Sequence, residues 1–310
     1  MAKDAPAGTT YESFTLQSAA IAESKLGDTG EVKLHVLLPP SYAKDRERRY
    51  PLVLFLPGYN GSPRQVDEWL EAFDRSFTAR PGEELVLVAV EGRNVLGGAF
   101  YVNSLATGRW EDFVVEEVVR AVEARYRTIP AAASRGLFGF SMGGFGALRI
   151  GLRRPDVFGA VFATAPGVFA PGGLAEAMAT WSVPPSFKSA YGAAFAPDLA
   201  APRPFARTPD LSSGKDAEVA ALWEAGFGGW PARIDAYLGQ PVRLARIRLE
   251  VGSNDDYEWI VKGTRHLASL LEDRGLPVEF AEGTYRHEIP MAQLSDSVVP
   301  FFQANLVREE

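Results

Sequence analysis

The sequence predicts an α/β fold: a mostly parallel central sheet flanked by helices, with antiparallel strands at its N-terminal end. Three observations carry this. The runs "PLVLFLPG", "ELVLVAVEG", "RGLFGFS", "GAVFATAP", "RIRLEVGS" and "VEFAEG" are short and nearly continuously apolar, the pattern of strands covered on both faces. Segments of helical period separate them, as the crossovers of a parallel sheet require. The 310 residues are 46% hydrophobic and 23% charged, an ordinary globular balance that can bury a large core.

Taken in order, "SFTLQSAAIAES" and "EVKLHVLLPPSY" are β-rich and meet across a Gly/Asp turn at Gly27 to Gly30, which predicts an antiparallel hairpin. His35 alternates with Leu34 and Val36 and is expected to face away from them. The mixed-sign cluster from Lys44 to Arg49 is a solvated loop before the first parallel strand. In "WEDFVVEEVVRAVEARY", Val115, Val118, Val119, Val122 and Tyr126 form one helical stripe, and Glu111 and Asp112 sit in the first turn, where the helix dipole favours acids. Residues 165 to 241 break the rhythm, with 10 of the 22 prolines and the tryptophans Trp181, Trp223 and Trp230. The expectation is one domain over 1–310, with 165–241 an irregular insertion or partial cap that shapes a substrate pocket.

Composition excludes several function classes. Lys and Arg total 32 against 39 Asp and Glu, a net charge of −7, and no basic run interleaves with aromatics, so nucleic acid is not an expected partner. Without cysteine there can be no disulfide, thiolate nucleophile or Cys-ligated metal. The opening "MAKDAPAGTTYESF" lacks an apolar leader core, and no stretch reaches the roughly 20 apolar residues of a membrane span, so a cytoplasmic location is expected.

The chemistry centres on Gly139-Phe140-Ser141-Met142-Gly143, a G-x-S-x-G motif with a strand, "RGLFGF", leading in and a helix, "GFGALRIGLRR", leading out. Such a strand-to-helix turn holds the serine in strained dihedrals at a helix start, where backbone N–H groups point at developing negative charge. A serine hydroxyl needs a base, and the chain has three histidines. His266 belongs to a helical pattern with Leu267, Leu270 and Leu271, whereas His287 follows the last strand in a loop and can reach back to the serine. An acid must fix the imidazole tautomer, and "SNDDYE" offers Asp255 and Asp256; Asp255 is preferred because it directly follows the strand's turn, and either could also cap the helix near Tyr257. "SNDDYE" lacks the ligand spacing of a calcium loop, and no metal is expected. An oxyanion hole needs two donors, for which the Met142 N–H and the Tyr59 N–H in "LFLPGYNGS" are the candidates.

The blocks "NSLATGRWEDF", "RGLFGFSMGGFGALRIGLRRPDVFGAV" and "VGSNDDYEWIVKGTRHLASLLEDRGLPVEF" resemble the Putative esterase family of α/β-hydrolases, which includes feruloyl esterases, S-formylglutathione hydrolases, enterochelin esterases and mycolyltransferases. The likeness extends from about Glu31 to Leu306 and implies the α/β-hydrolase fold, a serine esterase, the triad Ser141, Asp255 and His287, an oxyanion hole at Tyr59 and Met142, and no cofactor. "LPGYNG" departs from the His-Gly that many hydrolases carry there, and "TYRHE" from the Gly-Gly-His of relatives. The expected function is hydrolysis of a small-molecule carboxylic ester through an acyl-enzyme, in a mainly apolar pocket walled by Tyr59, Trp110, Trp181 and Trp223. The same triad could transfer an acyl group to an alcohol or sugar or cleave a thioester, and the scaffold could serve as a non-catalytic binding module.

Overall fold

Eight strands form one sheet in the computed structural model, which describes residues 8–181, 186–212 and 214–309; Pro184 and Pro185 of the Pro-rich tract lie outside them. The strands are β1 (Thr10–Gln17), β2 (Glu31–Leu38), β3 (Leu52–Leu56), β4 (Val86–Ala89), β5 (Arg135–Phe140), β6 (Ala160–Thr164), β7 (Arg246–Gly252) and β8 (Val278–Gly283). Their order across the sheet is β1-β2-β4-β3-β5-β6-β7-β8. The β1–β2 and β2–β4 pairs are antiparallel and every later pair is parallel, so the six apolar runs of the sequence are the six strands β3 to β8. This is the α/β-hydrolase architecture.

Alternation within the strands divides the core between two faces. Leu52, Leu54 and Leu56 of β3 pack on one side, while Val53 and Phe55 pack on the other with Phe138, Phe162 and Phe302. His35 lies on the second side with Leu37, buried, its Nδ1 2.5 Å from the Tyr11 hydroxyl. The helices are α1 (Leu70–Ala79), α2 (Val119–Arg125), α3 (Met142–Arg153), α4 (Leu174–Thr180), α5 (Ser186–Phe195), α6 (Ala217–Phe227), α7 (Trp230–Leu238), α8 (Glu258–Asp273) and α9 (Val299–Asn305), besides shorter turns.

Two segments differ from expectation. The stripe from Val115 to Tyr126 is buried as read, but α2 is preceded by a π-helical stretch, Phe113–Val118, rather than continuing one α-helix. Phe113 and Val118, five residues apart, are both fully buried, and the wider turn suits that spacing. Between β6 and β7, where the sequence shows no regular alternation, α4 to α7 pack their aromatics together. Trp181, Tyr191, Trp223 and Phe227 are all buried there, so ring stacking takes the place of a simple amphipathic stripe. Among the described residues no helix is long and apolar enough to cross a membrane.

Candidate active site

The carboxyl ends of β3, β5, β7 and β8 open onto the same edge of the sheet, and each releases a loop carrying one candidate group. At the end of β5, Ser141 has φ 55° and ψ −117°, a conformation unfavourable for a residue with a side chain. The surroundings hold it there. Ser141 N–H donates to the Thr164 carbonyl at 3.0 Å, and the Ser141 carbonyl accepts from Phe145 N–H and Gly167 N–H, each at 3.0 Å. The turn is possible because Gly143 lets α3 start against the end of β3; a Cβ there would collide with the Leu56 carbonyl.

His287 Nε2 lies 2.9 Å from Ser141 Oγ, and His287 Nδ1 lies 2.8 Å from Asp255 Oδ2. The Asp255 side chain is fully buried. Its second oxygen, Oδ1, accepts the Tyr257 N–H at 2.8 Å, so the residue preferred as the acid is also the one that caps the following turn. Asp256 instead pairs with Arg286 on the surface, and that guanidinium holds its carboxyl below the usual aspartate range. His266 is remote from this arrangement, on α8 beside a different concavity.

The imidazole is fixed from both sides. Its ring centroid is 4.8 Å from Phe140 and 5.0 Å from Tyr257, the latter edge-on. The acid and histidine loops are tied together: Ser253 N–H donates to the Gly283 carbonyl at 2.7 Å and Asn254 Nδ2 to the Thr284 carbonyl at 3.0 Å. Beneath the histidine loop lies a polar group that sequence reasoning missed. Buried Glu250 of β7 accepts from Gln293, Ser297 and Arg248, the last at 2.6 Å, and Gln293 Nε2 is 3.4 Å from the Tyr285 hydroxyl. Burial, reinforced by Glu250, pushes the Tyr285 phenol far up, so it stays neutral and accepts from Gln293.

Opposite the imidazole, the loop after β3 passes over the serine. A Cβ at Gly58 would stand 3.2 Å from Ser141 Cβ. Neither Tyr59 N–H nor Met142 N–H, the first of its helix, has an acceptor among the described residues. The Tyr59 side chain packs on Phe187, its hydroxyl donating to the Leu96 carbonyl at 2.5 Å and lying 2.7 Å from Ser186 Oγ.

These groups line a cavity of about 230 Å³. Of the four expected aromatic walls, the structure brings Tyr59 and Trp181 to it. Trp110 and Trp223 are not there and are corrected: both are fully buried, their indole N–H groups satisfied by the carbonyls of Thr107 at 2.7 Å and Arg207 at 3.0 Å. The walls not foreseen are Phe187, Phe227, Tyr257, Trp259 and Ile260. Tyr257 and Trp259 follow Asp255 by two and four residues, a proximity that could have flagged them. No Asp, Glu, Lys or Arg side chain is among the lining residues.

The family model described as "Putative esterase" matches residues 28–308. Esterase Rv1288 of Mycobacterium tuberculosis is 32% identical over 121 residues, 37% of this chain and 25% of that protein, and Esterase MT1326 from another strain of that species matches equally. The chain therefore spans about a quarter of the length of the curated relatives it matches. Among solved structures, a ferulic acid esterase superposes with a TM-score of 0.67 at 18% identity, over 97% of this chain and 100% of the other. The S-formylglutathione hydrolase from Agrobacterium tumefaciens does so at 0.64 and 18%, over 97% of each chain. Fluorophosphonate-binding serine hydrolase F of Staphylococcus aureus gives 0.62 and 15%, over 96% and 98%.

Proposed function

The chain belongs to the Putative esterase family, and from that premise we propose that it cleaves small, uncharged carboxylic esters through an acyl-enzyme on Ser141. The observation that carries the reading is the continuous contact Ser141 Oγ to His287 Nε2 at 2.9 Å and His287 Nδ1 to Asp255 Oδ2 at 2.8 Å. His287 Nε2 takes the hydroxyl proton as Oγ bonds to the ester carbonyl carbon, and Asp255 holds the proton on Nδ1 and stabilises the imidazolium. The carbonyl oxygen, now negative, lies between the Tyr59 and Met142 N–H groups, which have no acceptor among the described residues to give up.

Collapse of this intermediate breaks the bond to the alcohol oxygen, which leaves with the proton from His287. Water then repeats the sequence: His287 removes its proton, the acyl–Oγ bond breaks, and the carboxylic acid departs as Oγ is reprotonated. The aromatic cavity, without a charged side chain and smaller than the roughly 300 to 1,000 Å³ of drug-sized sites, favours a short neutral acyl group. Trp181, Phe187 and Phe227 reach it from 165–241, which supports that tract as a partial cap within a single domain.

The test is hydrolysis of p-nitrophenyl esters from acetate to decanoate by the parent chain and Ser141→Ala. Activity peaking at short acyl chains and lost in the variant is expected. An unchanged rate in the variant would remove the serine mechanism, and a decanoate optimum would contradict the small pocket.

A further inference from the structure

Away from the cavity, three guanidiniums gather beside the helix after Ser141. Arg149 and Arg153, one turn apart on α3, both reach buried Glu111, Arg149 through Nη1 and Arg153 through Nε at 2.9 Å. A third guanidinium, Arg233 of α7, joins them. Its Nε donates to the Gly228 carbonyl at 3.0 Å, and its Nη2 to the carbonyls of Ala225 at 2.7 Å and Gly226 at 3.1 Å. Glu111 is the carboxylate nearest this group, paired with Arg149 and Arg153, in a chain whose net charge is −7.

Burial, then the charges of Arg149 and Arg153, push Arg233 down to about 10, and burial likewise lowers Arg149. An arginine stays protonated in a protein, so these groups are cations partly withdrawn from water, with like charge adding to the effect of burial at Arg233. Donors are also left over. Arg149 Nε and Nη2 and Arg233 Nη1 have no acceptor among the described residues, and none of them is fully enclosed without a partner.

The surface beside them has the form of a binding groove. Arg149 and Arg233 line two concavities of about 410 and 200 Å³. The larger adds Arg153 and an apolar floor of Leu152, Ala236 and Tyr237. Guanidinium forks match the planar oxygens of carboxylate and phosphate, and the floor suits an apolar body behind such a head. We propose that this groove binds a small organic anion, its carboxylate or phosphate between Arg149, Arg153 and Arg233 and its apolar body against Leu152, Ala236 and Tyr237.

Calorimetric titration of the whole chain at low salt with hexanoate, phenyl phosphate and inorganic phosphate tests this. Either organic anion should bind at least about fivefold more tightly than inorganic phosphate because the floor buries its body. Arg153→Gln should weaken binding about two- to fivefold, as for an exposed ion pair. Arg149→Lys keeps a charge beside Glu111 but loses the fork, and should weaken it about tenfold. Absence of binding by all three probes would overturn the proposal. So would affinity unchanged in the folded Arg153→Gln variant, since the anion would then sit elsewhere, such as in the cavity beside Ser141.

Discussion

Replacing Asp255 by Asn removes a charge while keeping the side chain, and its surroundings decide which way the new amide faces. One carboxylate oxygen accepts the Tyr257 N–H at 2.8 Å, the other meets His287 Nδ1 at 2.8 Å, and the side chain is fully buried. Asparagine satisfies Tyr257 only by placing its oxygen there, which turns its NH₂ toward the imidazole. The ring must then accept at Nδ1 and carry its proton on Nε2, the atom 2.9 Å from Ser141 Oγ, where it cannot act as a base. Flipping the amide restores the useful tautomer but sets two donors against each other at Tyr257, at a cost of about 1 to 3 kcal/mol for the buried unpaired group. The inactive tautomer is therefore favoured by roughly 5- to 150-fold, and the imidazolium also loses its counter-charge. The corresponding change in a serine-protease triad lowers kcat about 10⁴-fold, or about 5.5 kcal/mol. We expect about 10³- to 10⁴-fold here with KM little changed. The assay is p-nitrophenyl butyrate hydrolysis at saturating and limiting substrate, with Asp256→Asn as control. The exposed Asp256–Arg286 pair predicts a loss of less than about threefold in that control. Asp255→Asn retaining more than a tenth of the parent kcat, or matching Asp256→Asn, would refute the reasoning.

At Gly58, alanine would place a Cβ 3.2 Å from Ser141 Cβ and from Phe140 Cδ1, pushing back the loop that carries the Tyr59 N–H; kcat should fall by up to about 10²- to 10³-fold, with thermal unfolding nearly unchanged. Gln293→Leu leaves Glu250 and Tyr285 short of a partner, and urea unfolding should show a loss of about 1 to 3 kcal/mol. Burial raises the Glu91 carboxyl above its ordinary value, so folding disfavours its charged form, a penalty present at neutral pH and gone once pH falls below the unfolded glutamate value. Glu91→Gln should therefore raise the unfolding temperature at pH 7 and leave it unchanged near pH 4; the opposite ordering would reverse the sign of that argument.

Strands β3 to β8 were legible because burial on both faces leaves unbroken apolar runs, and their boundaries need no knowledge of what lies opposite. Ser141 was legible for a local reason as well: the glycines around it report how closely α3 must approach β3. The pocket walls depend on helix rotation, which 165–241 does not encode in a simple stripe. Trp181 and Trp223 come from the same aromatic cluster, yet one lines the cavity and the other turns its indole to the Arg207 carbonyl. Trp110 looked like a wall because it lies in the motif block, but its indole satisfies the Thr107 carbonyl three residues back. The Glu250–Gln293 contact joins residues 43 apart that form no motif, and only the fold brings them together.

The central claim, a covalent acyl intermediate on Ser141, is tested most directly by intact-mass and peptide-mapping analysis of the chain after treatment with a fluorophosphonate, in the parent and in His287→Ala. A single adduct on the peptide containing Ser141 is expected in the parent, with much slower labelling without His287. An adduct on another residue, or equal labelling in the two proteins, would contradict it.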